Sequence, residues 1–253
     1  MSGGEDDARR GRTYWLVGSS EGLGRALAQE LAGAGARLCL SARDRGRLED
    51  LAAGLPGDAV VAPLDARDRA SVEAAFAALP PLDGVIYCAG AYEPVSAEDW
   101  DAAAVETMFD VNLTGAARVL GAALPALVRQ GRGHVVLIGS LAGLTGLPRS
   151  IGYGASKAGL ICLAECMRAD LPPDRFKVQV VNPGFVETRL TAKNDFKMPF
   201  LMSAEAAARR ARKLMERRGF RGYFPWRFSL FFRLARLLPD GVLFPLMRAA
   251  MRR

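Results

Sequence analysis

The stretch IGSLAGLTGLPRSIGYGASK, residues 138 to 157, holds three side chains suited to proton chemistry: Ser140, Tyr153 and Lys157. Tyr153 and Lys157 stand four apart, which on a helix puts the phenol and the ammonium on one face. A free phenol has a pKa of ~10 and exchanges protons poorly at neutrality, but a fixed cation a few ångströms away favours the phenolate and lowers that value. Such a pair suits acid–base work on a carbonyl or an alcohol. Alone it would describe many helix surfaces, so its weight depends on what the rest of the chain builds around it.

The scaffold is legible in the alternation of patterns. Short apolar runs at 13–17 (TYWLV), 37–41 (RLCLS), 59–62 (AVVA), 84–88 (GVIYC), 134–139 (HVVLIG) and 176–181 (FKVQVV) alternate with longer helical stretches, the last of them 153–170. Strand then helix, repeated, predicts an α/β chain: a single-domain Rossmann fold, whose doubly wound parallel sheet of about seven strands carries helices on both faces. A seventh strand is expected at 220–226. Residues 1–12 read as a polar leader with no apolar signal-peptide core, 13–225 as the domain with a lid over about 189–204, and 226–253 as a basic amphipathic extension.

Of 253 residues, 50% are apolar, enough for a large core, and no uninterrupted apolar run reaches the ~18 residues of a spanning helix. Cys39, Cys88, Cys162 and Cys166 lie in apolar segments without disulfide or metal spacing, which predicts buried thiols, no metal and a reducing, cytoplasmic setting. His134, the one histidine, is expected to play a structural part at a strand end. The net charge of +7 is uneven: from Glu205 onward there are 13 Lys and Arg against 3 acidic residues. A local basic surface is therefore predicted and not a nucleic-acid-binding protein.

After the first strand, VGSSEGLG sets Gly18, Gly22 and Gly24 between strand and helix. Glycines there permit a tight turn and let backbone N–H groups and the helix dipole meet a pyrophosphate. The second strand ends SARD, with Ser41 and Ala42 where an NAD-binding chain usually presents an acid to the ribose, and Arg43 follows. That favours NADP(H), with Arg43 pairing the 2′-phosphate and Ser41 hydrogen-bonding it.

Taken together, these motifs resemble the short-chain dehydrogenase/reductase family from Tyr14 to about Leu190: the GSSEGLG loop with Ser20 and Leu23, Asp65, CAG at 88–90, Asn112 in VNLTG, Ser140, YGASK, and NPGFVET at 182–188. The resemblance implies a catalytic tetrad of Asn112, Ser140, Tyr153 and Lys157. Tyr153 would protonate the carbonyl oxygen as hydride arrives, Ser140 would hydrogen-bond that oxygen, Lys157 would hold the nicotinamide ribose, and Asn112 would position a relay water. Asp65 would approach the adenine, Ala89 and Gly90 would line the cofactor, and Pro183, Gly184, Val186 and Thr188 would close over it. Two departures, Val17 for the family's usual Thr and YCAG for NNAG, are expected to cost hydrogen bonds near the cofactor. The resemblance also implies a homodimer or homotetramer.

Substrate contacts are expected from Ser140, Tyr153, Phe185 and the Phe- and Met-bearing lid, including Phe196 and Met198, a lining suited to a lipid-like or long-chain acyl ketone. A soluble 3-oxoacyl carrier-protein or small-ketone reductase, and a non-catalytic NADP(H)-sensing protein, are the alternatives. On a helix over 226–238, Ser229, Arg233 and Arg236 form a narrow polar stripe amid apolar residues. Such a face either lies on an anionic, inner-membrane surface or packs on the domain or another subunit.

Overall fold

The computed structural model describes residues 11–235 and 237–250. Seven strands, β1 (Thr13–Val17), β2 (Arg37–Ser41), β3 (Ala59–Val61), β4 (Gly84–Tyr87), β5 (Gly133–Ile138), β6 (Phe176–Pro183) and β7 (Arg221–Phe224), form one sheet in the order β3-β2-β1-β4-β5-β6-β7. Every pairing is parallel. The winding reverses between β1 and β4, so the carboxyl ends of those strands open a crevice, the usual ligand position of such sheets.

Helices α1 (Gly22–Gly33), α2 (Arg45–Ala53), α3 (Arg69–Ala77), α4 (Ala102–Phe109), α5 (Gly115–Gln130), α6 (Ile151–Asp170) and α7 (Ala204–Glu216) cover the sheet. Alternate strand residues point to opposite faces, and two cores result. Trp15, Val85 and Val135 face α3, α5 and α6, while Tyr14, Leu16 and Val136 face α1, α2 and α7. Burial on both sides explains why these strands read as unbroken apolar runs. Between α4 and α5 lies a π-helical turn, Asp110–Thr114. The combined stretch 102–130 is long and apolar enough to cross a bilayer, yet Val105, Met108, Val119, Leu120 and Leu127 are built into the domain.

His134 is buried between the Tyr14 hydroxyl and the Gln179 amide, 2.9 Å from each, which is structural work at the start of β5. The cysteine expectation holds for Cys39, but Cys162 and Cys166 are exposed on α6: their shared face points away from the sheet. Among the described residues no His, Cys, Asp or Glu cluster could hold a metal.

The extension forms α8 (Trp226–Ala235) and α9 (Asp240–Ala250). Its predicted polarity needs correcting at Ser229, which is buried and donates its hydroxyl to the Trp226 carbonyl at 2.7 Å. Phe232 and Ala235 lie on the same inward face, whereas Trp226, Leu234 and Leu237 face out. Phe232 joins the main core, and Ala235, Leu243 and Met247 cluster on Leu147, so the extension is folded back onto the domain. Arg236 lies outside the described residues, as do residues 1–10 of the expected leader.

Candidate active site

At the turn between β1 and α1 the chain comes so close to β4 that side chains are excluded. Gly18 has φ +91°, and a Cβ there would sit 2.3 Å from the Ala89 nitrogen; one on Gly24 would sit 1.9 Å from the Gly18 carbonyl oxygen. The Ser41 carbonyl fixes the turn by accepting from Gly18 N–H at 2.7 Å and Ser19 N–H at 3.2 Å. Gly22, with φ +53°, opposes the Thr188 methyl across the crevice. Thr188 is set in turn by Thr191, whose hydroxyl accepts its N–H at 3.0 Å. A glycine cradle at a helix N-terminus, faced by Thr188 and flanked by Ala89 and Gly90, fits a dinucleotide pyrophosphate.

The ribose end differs from expectation. Ser41 is fully buried: its hydroxyl accepts from Trp15 Nε1 at 2.8 Å and donates to the Ala62 carbonyl at 2.5 Å. With the side chain spent inside the core, its predicted bond to a 2′-phosphate is withdrawn, and Ser41 serves the site through its backbone. Arg43 stands exposed just beyond β2. The Asp65 carboxyl is held below its usual range, first by hydrogen bonds from Arg67 and in smaller part by the Arg43 charge. Ser20 and Leu23 lie at the same turn, and Val186 is buried beside it, bridged to Met202.

Four side chains from three segments meet at the carboxyl ends of β4 and β5. Ser140 follows β5; its hydroxyl accepts the Ala142 N–H at 3.1 Å and lines the same cavity as the Tyr153 phenol, near enough to lower its pKa. Tyr153 and Lys157 lie one turn apart on α6, with Lys157 Nζ 5.8 Å from the phenol ring centroid. Lys157 donates to the Ile138 carbonyl at 2.8 Å, and burial pulls its pKa down to about 8. Burial pushes Tyr153 above the ordinary phenol value, outweighing the opposite, lowering influence of Ser140. The lysine-driven lowering expected from the spacing is therefore not what this arrangement shows, because desolvation dominates both groups.

Asn112 sits in the π-helical turn, fully buried. Its Nδ2 donates to Ser156 Oγ at 2.9 Å, and that hydroxyl donates to the Tyr153 carbonyl at 2.9 Å, tying the turn to α6. The tyrosine of YCAG is also used here. The Tyr87 hydroxyl donates to the Val111 carbonyl at 2.5 Å, and Gly115 leaves it room, since a Cβ there would meet it at 2.6 Å.

Beside Ser140 and Tyr153 lies a cavity of about 400 Å³. Phe185 and Phe196 line it; Met198, expected beside them, does not, and its sulfur instead accepts from Asn194 Nδ2 at 3.2 Å. Sequence reasoning missed Tyr92, Arg149, Phe228, Phe231, Phe232 and Met247, all of which line it. The phenylalanines touch in series, Phe196 to Phe185 at 5.8 Å, Phe185 to Phe228 at 5.7 Å and Phe228 to Phe232 at 5.0 Å between centroids. The lid is tied down at the rim: Tyr92 donates to Asn194 at 2.7 Å, Lys193 pairs with Glu93, and Arg149, held at φ +57°, pairs with Asp195 at 2.7 Å.

Comparison with known proteins points the same way. The profile of the short chain dehydrogenase family matches residues 12–198. An uncharacterised oxidoreductase of Myxococcus xanthus is 37% identical over 249 residues, covering 96% of this chain and 97% of its own. Another, of Mycobacterium tuberculosis, is 34% identical over 222 residues, 83% of this chain and 87% of its own. The solved structure of a short-chain dehydrogenase from Burkholderia cenocepacia in complex with NADP is alike in fold, with TM-score 0.81 at 22% identity over 94% of this chain and 98% of that one.

Proposed function

Since the chain belongs to the short-chain dehydrogenase/reductase family of oxidoreductases, we propose that it is an NADP(H)-dependent reductase of an apolar ketone, or oxidant of the matching secondary alcohol. The observation that carries this reading is the meeting of Ser140, Tyr153 and Lys157 at the end of a cavity walled by phenylalanines.

The glycine turn, Thr188 and Arg43 would hold the dinucleotide, and the exposed guanidinium favours one bearing a 2′-phosphate. When bound, the reduced nicotinamide supplies a hydride to the carbonyl carbon. Tyr153, kept protonated by its buried setting, gives its proton to the carbonyl oxygen, and the Ser140 hydroxyl donates to the same oxygen as charge builds there. The Lys157 ammonium stabilises the phenolate that results. Asn112, its side chain fully engaged, acts by holding the π-helical turn in place. A relay water would have to use that turn's backbone.

An apolar wall of about 400 Å³ suits a lipid-like or long-chain substrate. Such a substrate resides in membranes, and the reading therefore takes in a peripheral position at an anionic membrane surface. NADPH oxidation over ketones graded by chain length, with Tyr153→Phe as control, tests the proposal. Rates should rise with chain length, and the variant should lose ~10²–10⁴-fold in kcat while still binding NADPH. A variant with wild-type turnover defeats the reading, and rates independent of chain length defeat its lipid part.

A further inference from the structure

The C-terminal helices have two apolar sides, and one residue belongs to both. On the inside, Phe228 and Phe232 of α8 and Met247 of α9 wall the cavity that Ser140 and Tyr153 also line. On the outside, Trp226, Leu234, Leu237 and Phe244 are 68, 52, 79 and 47% exposed. Phe231 lines the cavity and is itself 40% exposed. The cavity wall and the outer face are therefore one continuous apolar surface, joined at Phe231.

An exposed apolar face of this extent marks a docking surface, and charge selects what docks. Arg227, Arg233 and Arg248 are exposed on the two helices, against Asp240 as their one acidic residue among the described positions. The wider segment from Glu205 carries 13 cationic residues to 3 acidic ones. A second copy on this face about a two-fold axis would set like charges against like. An anionic bilayer meets the arginines with opposite charge while its acyl region receives the leucines and aromatic rings.

We infer that α8 and α9 lie in the headgroup region of an anionic bilayer with the cavity mouth at Phe231 facing it, so that an apolar ketone moves from the membrane to Tyr153 without crossing bulk water. The substrate in this inference rests on the reductase reading; the docking does not. The test uses the full chain and a Leu234→Glu/Leu237→Glu variant, whose changes touch neither cavity nor cofactor residues. Sedimentation with vesicles of phosphatidylcholine, with and without phosphatidylglycerol, reports docking. NADPH oxidation with a short water-soluble ketone and with a long-chain ketone dissolved in the vesicles reports access.

The wild type should sediment with the anionic vesicles, and the variant should lose about tenfold in partitioning and in activity on the vesicle-borne ketone while matching the wild type on the soluble one. Equal sedimentation of the two proteins overturns the inference, as does a wild-type dimer that the double substitution dissolves. Equal activity of the two on the vesicle-borne ketone overturns the portal. If the wild type reduces neither ketone, the reductase reading fails, and the vesicle sedimentation still decides the docking.

Discussion

Asn112 holds Ala91 by both backbone groups: its Oδ1 accepts the Ala91 N–H at 2.7 Å, and its Nδ2 donates to the Ala91 carbonyl at 3.0 Å. An amide side chain mimics a neighbouring strand here and locks the turn that carries Ala89 and Gly90 to the π-helical segment. Asn112→Asp keeps the acceptor and loses the donor, leaving the part-buried Ala91 carbonyl without its donor and the buried Ser156 hydroxyl without the bond it accepts. The cost should be about 1–3 kcal/mol in denaturant unfolding, with weaker NADPH binding by fluorescence titration. An Asp variant as stable as wild type that binds NADPH equally would show the clamp to be dispensable.

The Lys157 pKa of about 8 gives a pH signature. An exposed lysine titrates at 10.5, so between about 8 and 10.5 the unfolded chain binds more protons than the folded one. Stability from this group therefore rises with pH across that window, and below about 8 the buried charge carries its full desolvation cost. Activity should run the other way. Tyr153 stays protonated, since burial raises its pKa, while the Lys157 charge disappears. In the free enzyme kcat/KM for reduction should accordingly fall as pH climbs through about 8, and Lys157→Arg should carry that limb to higher pH. A wild-type profile level well beyond it would count against the role of Lys157.

Ser41 and Arg43, adjacent to the same crevice, should separate cleanly. Ser41→Ala strands the Trp15 indole N–H and the Ala62 carbonyl, which should destabilise the fold by about 1–3 kcal/mol while leaving the preference between NADPH and NADH unchanged. Arg43→Ala should leave stability alone and weaken NADPH about ten- to a hundredfold, with little change for NADH. Titration of both nucleotides against both variants measures this, and a preference that follows Ser41 in place of Arg43 would reverse the assignment.

Removing the Phe196 ring opens the apolar wall where it meets Phe185. Burial of a phenylalanine-sized surface contributes about 1.5–3 kcal/mol, so Phe196→Ala should cut kcat/KM for long-chain ketones roughly ten- to a hundredfold. Short ketones, which do not reach the ring, should be reduced almost as before. Equal losses for both would indicate that Phe196 supports the lid and not the substrate.

The chain's order of apolar strands and amphipathic helices was enough to predict the parallel sheet, the glycine turn and the pairing of Tyr153 with Lys157, because periodicity and spacing act over a few residues. Side-chain destinations obey a different rule. Ser41 at a strand end and Ser229 on a helix looked alike, polar and available, yet both turn inward, because Trp15 and Ala62 in one case and the domain surface in the other lie where no local pattern can specify. Met198 leaves the cavity while Phe228, Phe231 and Met247 enter it from beyond the expected domain boundary. The sequence by itself determined the elements and the reacting groups. Tertiary structure alone decided which distant aromatic residues wall the site and which face of α8 remains in contact with the surroundings, since burial depends on what packs against a helix and not on the helix's own pattern.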